Sequence, residues 1–200
     1  MSNKELQEQR MKSYFIEATK SILKAEGLKS LSVRNIADQA GYSYATLYNY
    51  FRDVNDLVFL CVSDFQEEIR SFVNDKTGHL PEGTEKLKAT ILAYMDYFVE
   101  YPGIFELFFL ERIRDFNAKK STLYLICNSL NEICESSWNY HLQNNLIKEP
   151  EILPAKEQIK LVVTGILLFY LNRQTPVSYL EYTQLSNQQI DFFLNCIFRN

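Results

Sequence analysis

Histidine is scarce in this 200-residue chain, with two copies, and tryptophan occurs once. His79 lies in a polar stretch and His141 near the end of a predicted helix, and neither has Cys, His or carboxylate partners at metal-ligand spacing. Glycine and proline number only six and five, and no glycine-rich phosphate loop, nucleophile elbow or paired-carboxylate motif is present. An enzyme therefore finds little support, and no metal or cofactor is expected. The four cysteines, Cys61, Cys127, Cys134 and Cys196, form no CxxC or Cys/His finger. Cys127 and Cys134, seven apart on one face of a predicted helix, read as two small buried hydrophobes in a reducing cytosol. A long apolar run is also missing. The most apolar stretch, Leu161 to Leu171, is too short to span a bilayer, and the start is charged and polar, unlike a signal peptide. A cytoplasmic protein with no membrane partner is the expectation.

What the chain has in quantity is aromatic side chains, 13 Tyr and 14 Phe, enough to fill a core or to line a cavity for an apolar ligand. Its length is sufficient to bury a core without disulfide or metal. Charge is unevenly spread. The net charge is −4, but residues 1–52 carry eight basic and five acidic side chains, for +3, which leaves −7 on the rest. A mildly basic head on an acidic body suits a protein that meets a polyanion at one end only.

Almost every long segment has helical periodicity. Met11, Phe15, Ala18, Ile22 and Ala25 step by threes and fours up to Gly27, a suitable left-handed stop. A short helix is predicted after Ser32, through "VRNIADQA" to Gly41; another, "YATLYNYF", follows Ser43. A longer helix starts at Asp53. Beyond the polar stretch "NDKTGHLPEG", further helices are carried by Leu87 to Phe98, Leu123 to Ser137 with Trp138 near the end, and Ile159 to Phe169 after Pro154. The last is expected to open on Ser186 and Gln189 as a capping box. The fold class is all-α: an N-terminal three-helix head at residues 1–52, then a larger helical body at 53–200 that begins with a connecting helix.

The most informative stretch is "LSVRNIADQAGYSYATLYNYF", Leu31 to Phe51. Two helices this short are unstable alone and must pack on each other and on the first helix. Ile36, Ala37 and Ala40 form an inner face, Gly41 permits a sharp turn, and Leu47, Tyr50 and Phe51 point back inward. That spacing is a helix-turn-helix, whose second helix enters the DNA major groove.

From about Arg10 to Leu57 these residues resemble the tetracycline-repressor (TetR) family of bacterial regulators, with "IADQAGYS" and "TLYNYF" in register. The resemblance departs at Val54, where the family usually carries a lysine; Arg52 is the nearest cation. It implies a dimeric regulator of transcription, a repressor acting on double-stranded DNA at a near-palindromic operator. Ser32 and Ser43 stand at helix starts, Arg34 and Arg52 suit the phosphate backbone as cations, and Tyr48 and Tyr50 suit it through their hydroxyls. Tyr44, Ala45, Thr46 and Asn49 are placed for base edges, Ala45 for a thymine methyl and Asn49 for adenine. Ser32 and Ser43 are also caps whether or not DNA is present, Tyr50 also reads as core, and Asn49 also reads as a solvated face.

The resemblance further implies a homodimer through the last two helices and a small-molecule effector in the body. "IKLVVTGILLFYL" looks like the family's penultimate helix, apolar all round with Gly165 allowing close approach. Val162, Gly165, Ile166 and Phe169, with Ile190, Phe193 and Ile197, are the predicted interface; burial within a monomer is the other reading. Phe98, Phe105, Phe108, Phe109, Tyr124, Cys127, Trp138 and Tyr170 are the candidate lining for an apolar or amphipathic effector, although aromatic residues at helical spacing equally describe a plain core. Glu106 and Glu111, beside the aromatic run, suit either a cationic compound or the surface. The alternative to a regulator is a helical small-molecule-binding or interaction protein without specific DNA binding.

Overall fold

The computed structural model describes residues 2–110, 120–172 and 175–198, the side chains of 120–122 excepted, and all its described regular structure is helical. Helix α1 (Asn3–Glu26) begins on a reciprocal cap: Ser2 Oγ accepts from the Glu5 amide at 3.3 Å, and the Ser2 amide donates to Glu5 Oε2 at 2.7 Å. It stops at Gly27, whose φ of 73° is costly for any residue with a Cβ. A short 3₁₀ turn, Leu28–Ser30, leads to α2 (Val33–Ala40). Gly41 ends α2 in the left-handed conformation, and the amides of Gly41 and Tyr42 close on the carbonyls of Asp38 and Ala37. Then come α3 (Tyr44–Tyr48) and α4 (Val54–Thr77), the latter opened by Asp53, which accepts from the Asp56 amide at 3.0 Å. α3 is shorter than its sequence pattern predicts: Tyr50 and Phe51 leave the helix but remain hydrogen-bonded to the Leu47 carbonyl.

The chain forms two compact units. The first holds Met1–Glu67 and Tyr101–Cys127. Its head core is Phe15, Ala18, Ile22, Ile36, Leu47, Phe51 and Leu57, with Met11, Val33, Tyr50 and Val54 packed around it. Helix α6 (Pro102–Phe105) opens with proline in its first turn and runs into a wider π-type turn, Glu106–Leu110. It docks on the C-terminal end of α1, so closely that a Cβ on Gly103 would collide with the Leu23 carbonyl oxygen.

The second unit holds Glu68–Glu100 and Asn128–Asn200. Its centre is α5 (Thr84–Glu100), which buries Leu87, Ile91, Tyr94, Met95, Tyr97 and Phe98 and contacts α8 (Glu135–Gln143), α9 (Glu149–Leu171) and α10 (Tyr179–Ile197). Lys88 on α5 pairs with Asp191 on α10 at 2.7 Å. The sequence pattern is corrected here at three places. The Leu123–Ser137 series is two helices, α7 (Lys120–Ile133) and α8, because the backbone breaks step at Cys134, and Trp138 falls within α8. α9 starts before Pro154, at Glu149 with Pro150 in its first turn, so Pro154 lies inside the helix and its missing amide leaves the Pro150 carbonyl without the usual helix bond. α10 opens at Ser178, whose Oγ accepts from the Glu181 amide at 3.2 Å; Ser186 is a buried residue inside that helix. The periodicity is the same on both sides of such a cap, so two Ser-x-x-acid/amide patterns eight residues apart compete on sequence alone.

Among the described residues no helix is long and apolar enough to cross a membrane, and no group of three or more His, Cys, Asp or Glu is placed to hold a metal ion.

Candidate nucleic-acid interface

The candidate recognition element is α3 and the turns at its ends. Ser43 Oγ accepts from the Thr46 amide at 3.1 Å and lies 2.9 Å from the Thr46 hydroxyl, fixing the first turn of a helix too short to hold itself. Ser32 does the same for α2, accepting from the Asn35 amide at 3.1 Å. Leu47 is fully buried and anchors α3 to the head core, so the opposite face must point out. That face carries Tyr44 and Tyr48, 65% and 53% exposed, together with exposed Ala45 and Asn49. Arg34 and Arg52 are exposed on either side of it in the sequence.

An open hollow of about 640 Å³ collects Arg34, Ser43, Tyr44 and Tyr48 with Val33, Ala37, Asp38 and Tyr42. Ser32, Ala45, Thr46, Asn49, Tyr50 and Arg52 do not line it. Thr46 is half-buried with its hydroxyl against Ser43. Tyr50 is half-buried, its ring 6.3 Å from Phe15 in the head core. Val54, in the place of the expected lysine, packs on that same core. Tyr42 is the residue that pattern reading passed over; its signal is an aromatic side chain directly after a stop glycine, where nothing in a helix pattern calls for one.

The candidate effector residues fall in both units. In the first, Phe105 and Phe108 are buried, Phe109 is half-buried with its ring 5.1 Å from Phe105, and Tyr124 and Cys127 are exposed. In the second, Phe98 and Trp138 are buried and Tyr170 is half-buried, its ring stacked on Tyr182 at 4.3 Å. The reading of Cys127 as a buried hydrophobe is corrected: with α7 ending before Cys134, the two cysteines share no helix face, and only Cys134 is buried. Burial pushes the Cys134 thiol up to about 12, so it stays protonated. Glu106 is half-buried, with its carboxylate against Gly27; Glu111 lies outside the described residues.

On α9 and α10, Ile166 and Ile190 are sealed in the chain's own core, Val162, Phe193 and Ile197 are half-buried, and Phe169 is exposed. Other large apolar side chains are left open to solvent here: Leu161 at 68%, Leu180 at 67% and Phe192 at 67%, and Leu168 to a lesser degree at 37%. Leu161, Gly165 and Leu168 share one face of α9 by their spacing. Among the described residues nothing lies within 4 Å of a Cβ built on Gly165, so that face is open there.

Residues 15–60 match the family model described as bacterial regulatory proteins, tetR family. The fold as a whole is similar to that of a transcriptional regulator FadR from Bacillus subtilis, solved in complex with stearoyl-CoA: TM-score 0.69, 16% identity, covering 91% of this chain and 97% of that one. A TetR family transcription regulator from Marinobacter aquaeolei VT8 matches with TM-score 0.66 and 18% identity over 94% of this chain and 97% of its own. The fatty acid degradation regulator FadR from Bacillus halodurans matches with TM-score 0.63 and 15% identity over 92% and 94%.

Proposed function

Because the chain belongs to the TetR family of DNA-binding transcriptional regulators, we propose that it acts as a homodimeric repressor, released from a near-palindromic operator by an amphipathic effector. The observation that carries the reading is the outward face of α3, where Tyr44, Ala45, Tyr48 and Asn49 stand exposed on a helix pinned from behind by Leu47. Ala45 and Asn49 have the chemistry for a thymine methyl and an adenine edge, and Arg34, Arg52 and the tyrosine hydroxyls for phosphates. The head at residues 1–52 reads DNA, and the helices from 53 onward pair and sense.

Pairing is supported by the bare apolar face of α9 and the exposed Leu180 and Phe192 of α10. Side chains of this size are rarely left in water together on a monomer. Gly165, with open space beyond it, lets a second helix approach closely. The interface so argued is centred on Leu161, Gly165, Leu168, Phe169 and Phe192, with Val162, Phe193 and Ile197 at its edges. A two-fold dimer presents two α3 helices to half-sites about one DNA turn, roughly 34–36 Å, or more apart.

The effector class is supported by the aromatic side chains gathered in each unit and by the relative from Bacillus subtilis, which was solved in complex with stearoyl-CoA. Release requires that the effector bind the DNA-competent and DNA-incompetent arrangements unequally.

The test is selection of bound duplexes from a random pool, followed by affinity against salt for the winner and its scramble. An enriched near-palindrome bound orders of magnitude above the scramble is the expected result. No enrichment, with weak binding even at low salt, sinks the regulator reading in favour of a helical binding protein. Thermal melting with acyl-CoA thioesters of graded chain length tests the effector. If no compound stabilises the protein or releases the operator, that clause fails while the DNA-binding one stands.

A further inference from the structure

Two tyrosines outside the recognition helix are held at the surface of the head, and a helical pattern explains neither. Tyr14 is on α1 and is 53% exposed; Tyr42 follows the stop glycine Gly41 and is 37% exposed. Their rings lie 6.0 Å apart and tilted by 31°, and Tyr42 also packs 5.7 Å from the buried Phe15. Each ring therefore braces the other on the head core. Tyrosine has only two side-chain torsions, so a braced ring fixes its hydroxyl at small entropic cost. One turn before Tyr14 on the same helix face stands Arg10, also exposed. Among the described residues, none of these three side chains has a hydrogen-bond or ion-pair partner. Tyr42 in turn lines the hollow that holds Arg34, Tyr44 and Tyr48. Arg10, Tyr14 and Tyr42 thus make a row running from α1 into the surface of the recognition helix, ending in one cation and two phenolic donors. The hollow also holds one carboxylate, Asp38, four residues after Arg34 on α2, and the row itself contains no acidic side chain.

We propose that Arg10, Tyr14 and Tyr42 are a second phosphate-contacting row, which holds the sugar–phosphate backbone of duplex DNA beside the groove that α3 enters. The inference rests on the DNA-binding reading of the head and extends it to residues outside the helix-turn-helix. The row makes no base contact. It contributes affinity and register, and leaves sequence preference to α3.

Tyr14→Phe and Tyr42→Phe keep the rings and their packing and remove only the hydroxyls, and Arg10→Gln removes the cation. Each is measured for affinity to the selected operator and to a scrambled duplex across salt, with thermal melting alongside. Unchanged melting, with both duplexes weakened by a similar factor of about three to ten, is the expected result. Arg10→Gln also lowers the magnitude of the salt slope by about one. A methylphosphonate scan of the operator locates the contact: neutralising the phosphate that the row holds weakens the wild type but not the variant. Wild-type affinity and slope in all three variants overturn the proposal, as does a loss confined to the operator. If the wild type selects no sequence, the operator reading fails by itself, and the row is still judged on the scrambled duplex at low salt.

Discussion

The exposed face of α3 and the exposed face of α9 both leave large side chains in water, yet they differ in what each side chain ends with. On α3 the exposed rings are tyrosines, with Arg34 in the same hollow, so each exposed ring carries a donor that stays satisfied beside a hydrated polyanion. On α9 the exposed residues are Leu161, Leu168 and Phe169, which carry no polar atom beyond the backbone and gain only from a dry partner. Exposure alone marks a surface as waiting for something, and the polar tip says what. A wet, charged ligand fits the first surface, and a second apolar helix face fits the second.

Breaking the α9 surface is expected to have the largest effect. Leu161→Glu with Phe169→Glu puts carboxylates where an apolar partner must sit; sedimentation should show monomers, and operator affinity should fall by orders of magnitude because each head then binds alone. A dimer that survives this pair would place the interface elsewhere. Next, Tyr44→Ala and Tyr48→Ala should leave sedimentation and melting unchanged and each cost about 1–3 kcal/mol of operator binding, roughly 5- to 150-fold, in a direct titration. Ser43→Ala strikes the support of α3 rather than its face. It should lower stability by about 1 kcal/mol, read by chemical denaturation, with a matching loss of binding as the helix frays.

The smallest effect expected lies outside both surfaces. Glu82 accepts from Lys86 Nζ at 2.7 Å and from Ser137 Oγ at 3.1 Å. Burial opposes its ionisation, but those hydrogen bonds outweigh burial and hold its carboxyl below the ordinary value. A carboxyl lowered on folding stabilises the fold fully above its unfolded value, and that contribution is lost as pH falls through the folded one. Glu82→Gln should therefore flatten the acid side of a stability-against-pH curve while leaving DNA binding and dimerisation near neutrality untouched.

The helix-turn-helix was legible because its signals are local: Ser32, Gly41 and Ser43 each act on amides within a few residues, and Ile36 and Leu47 fall at core spacing whatever surrounds them. The start of α10 was not legible, since Ser178–Glu181 and Ser186–Gln189 both satisfy the same local rule. Only packing decides that Ser186 is buried. Cys127 is a similar case, because the break at Cys134 ends the helix on which the two cysteines would share a face, and no residue nearby announces that break. Ile190 and Phe192 show the limit most simply. Both are large and apolar on one helix, yet one is fully buried and the other 67% exposed.

By itself the sequence determined an all-helical chain with an N-terminal helix-turn-helix, because caps, stop glycines and apolar spacing act within a turn or two of the residues that carry them. The tertiary structure alone decided which apolar side chains are spent on the chain's own core and which are left for a partner. It also decided that Tyr14 and Tyr42, 28 residues apart, brace each other at the surface. Such contacts depend on how distant segments close in space, and no local periodicity encodes that.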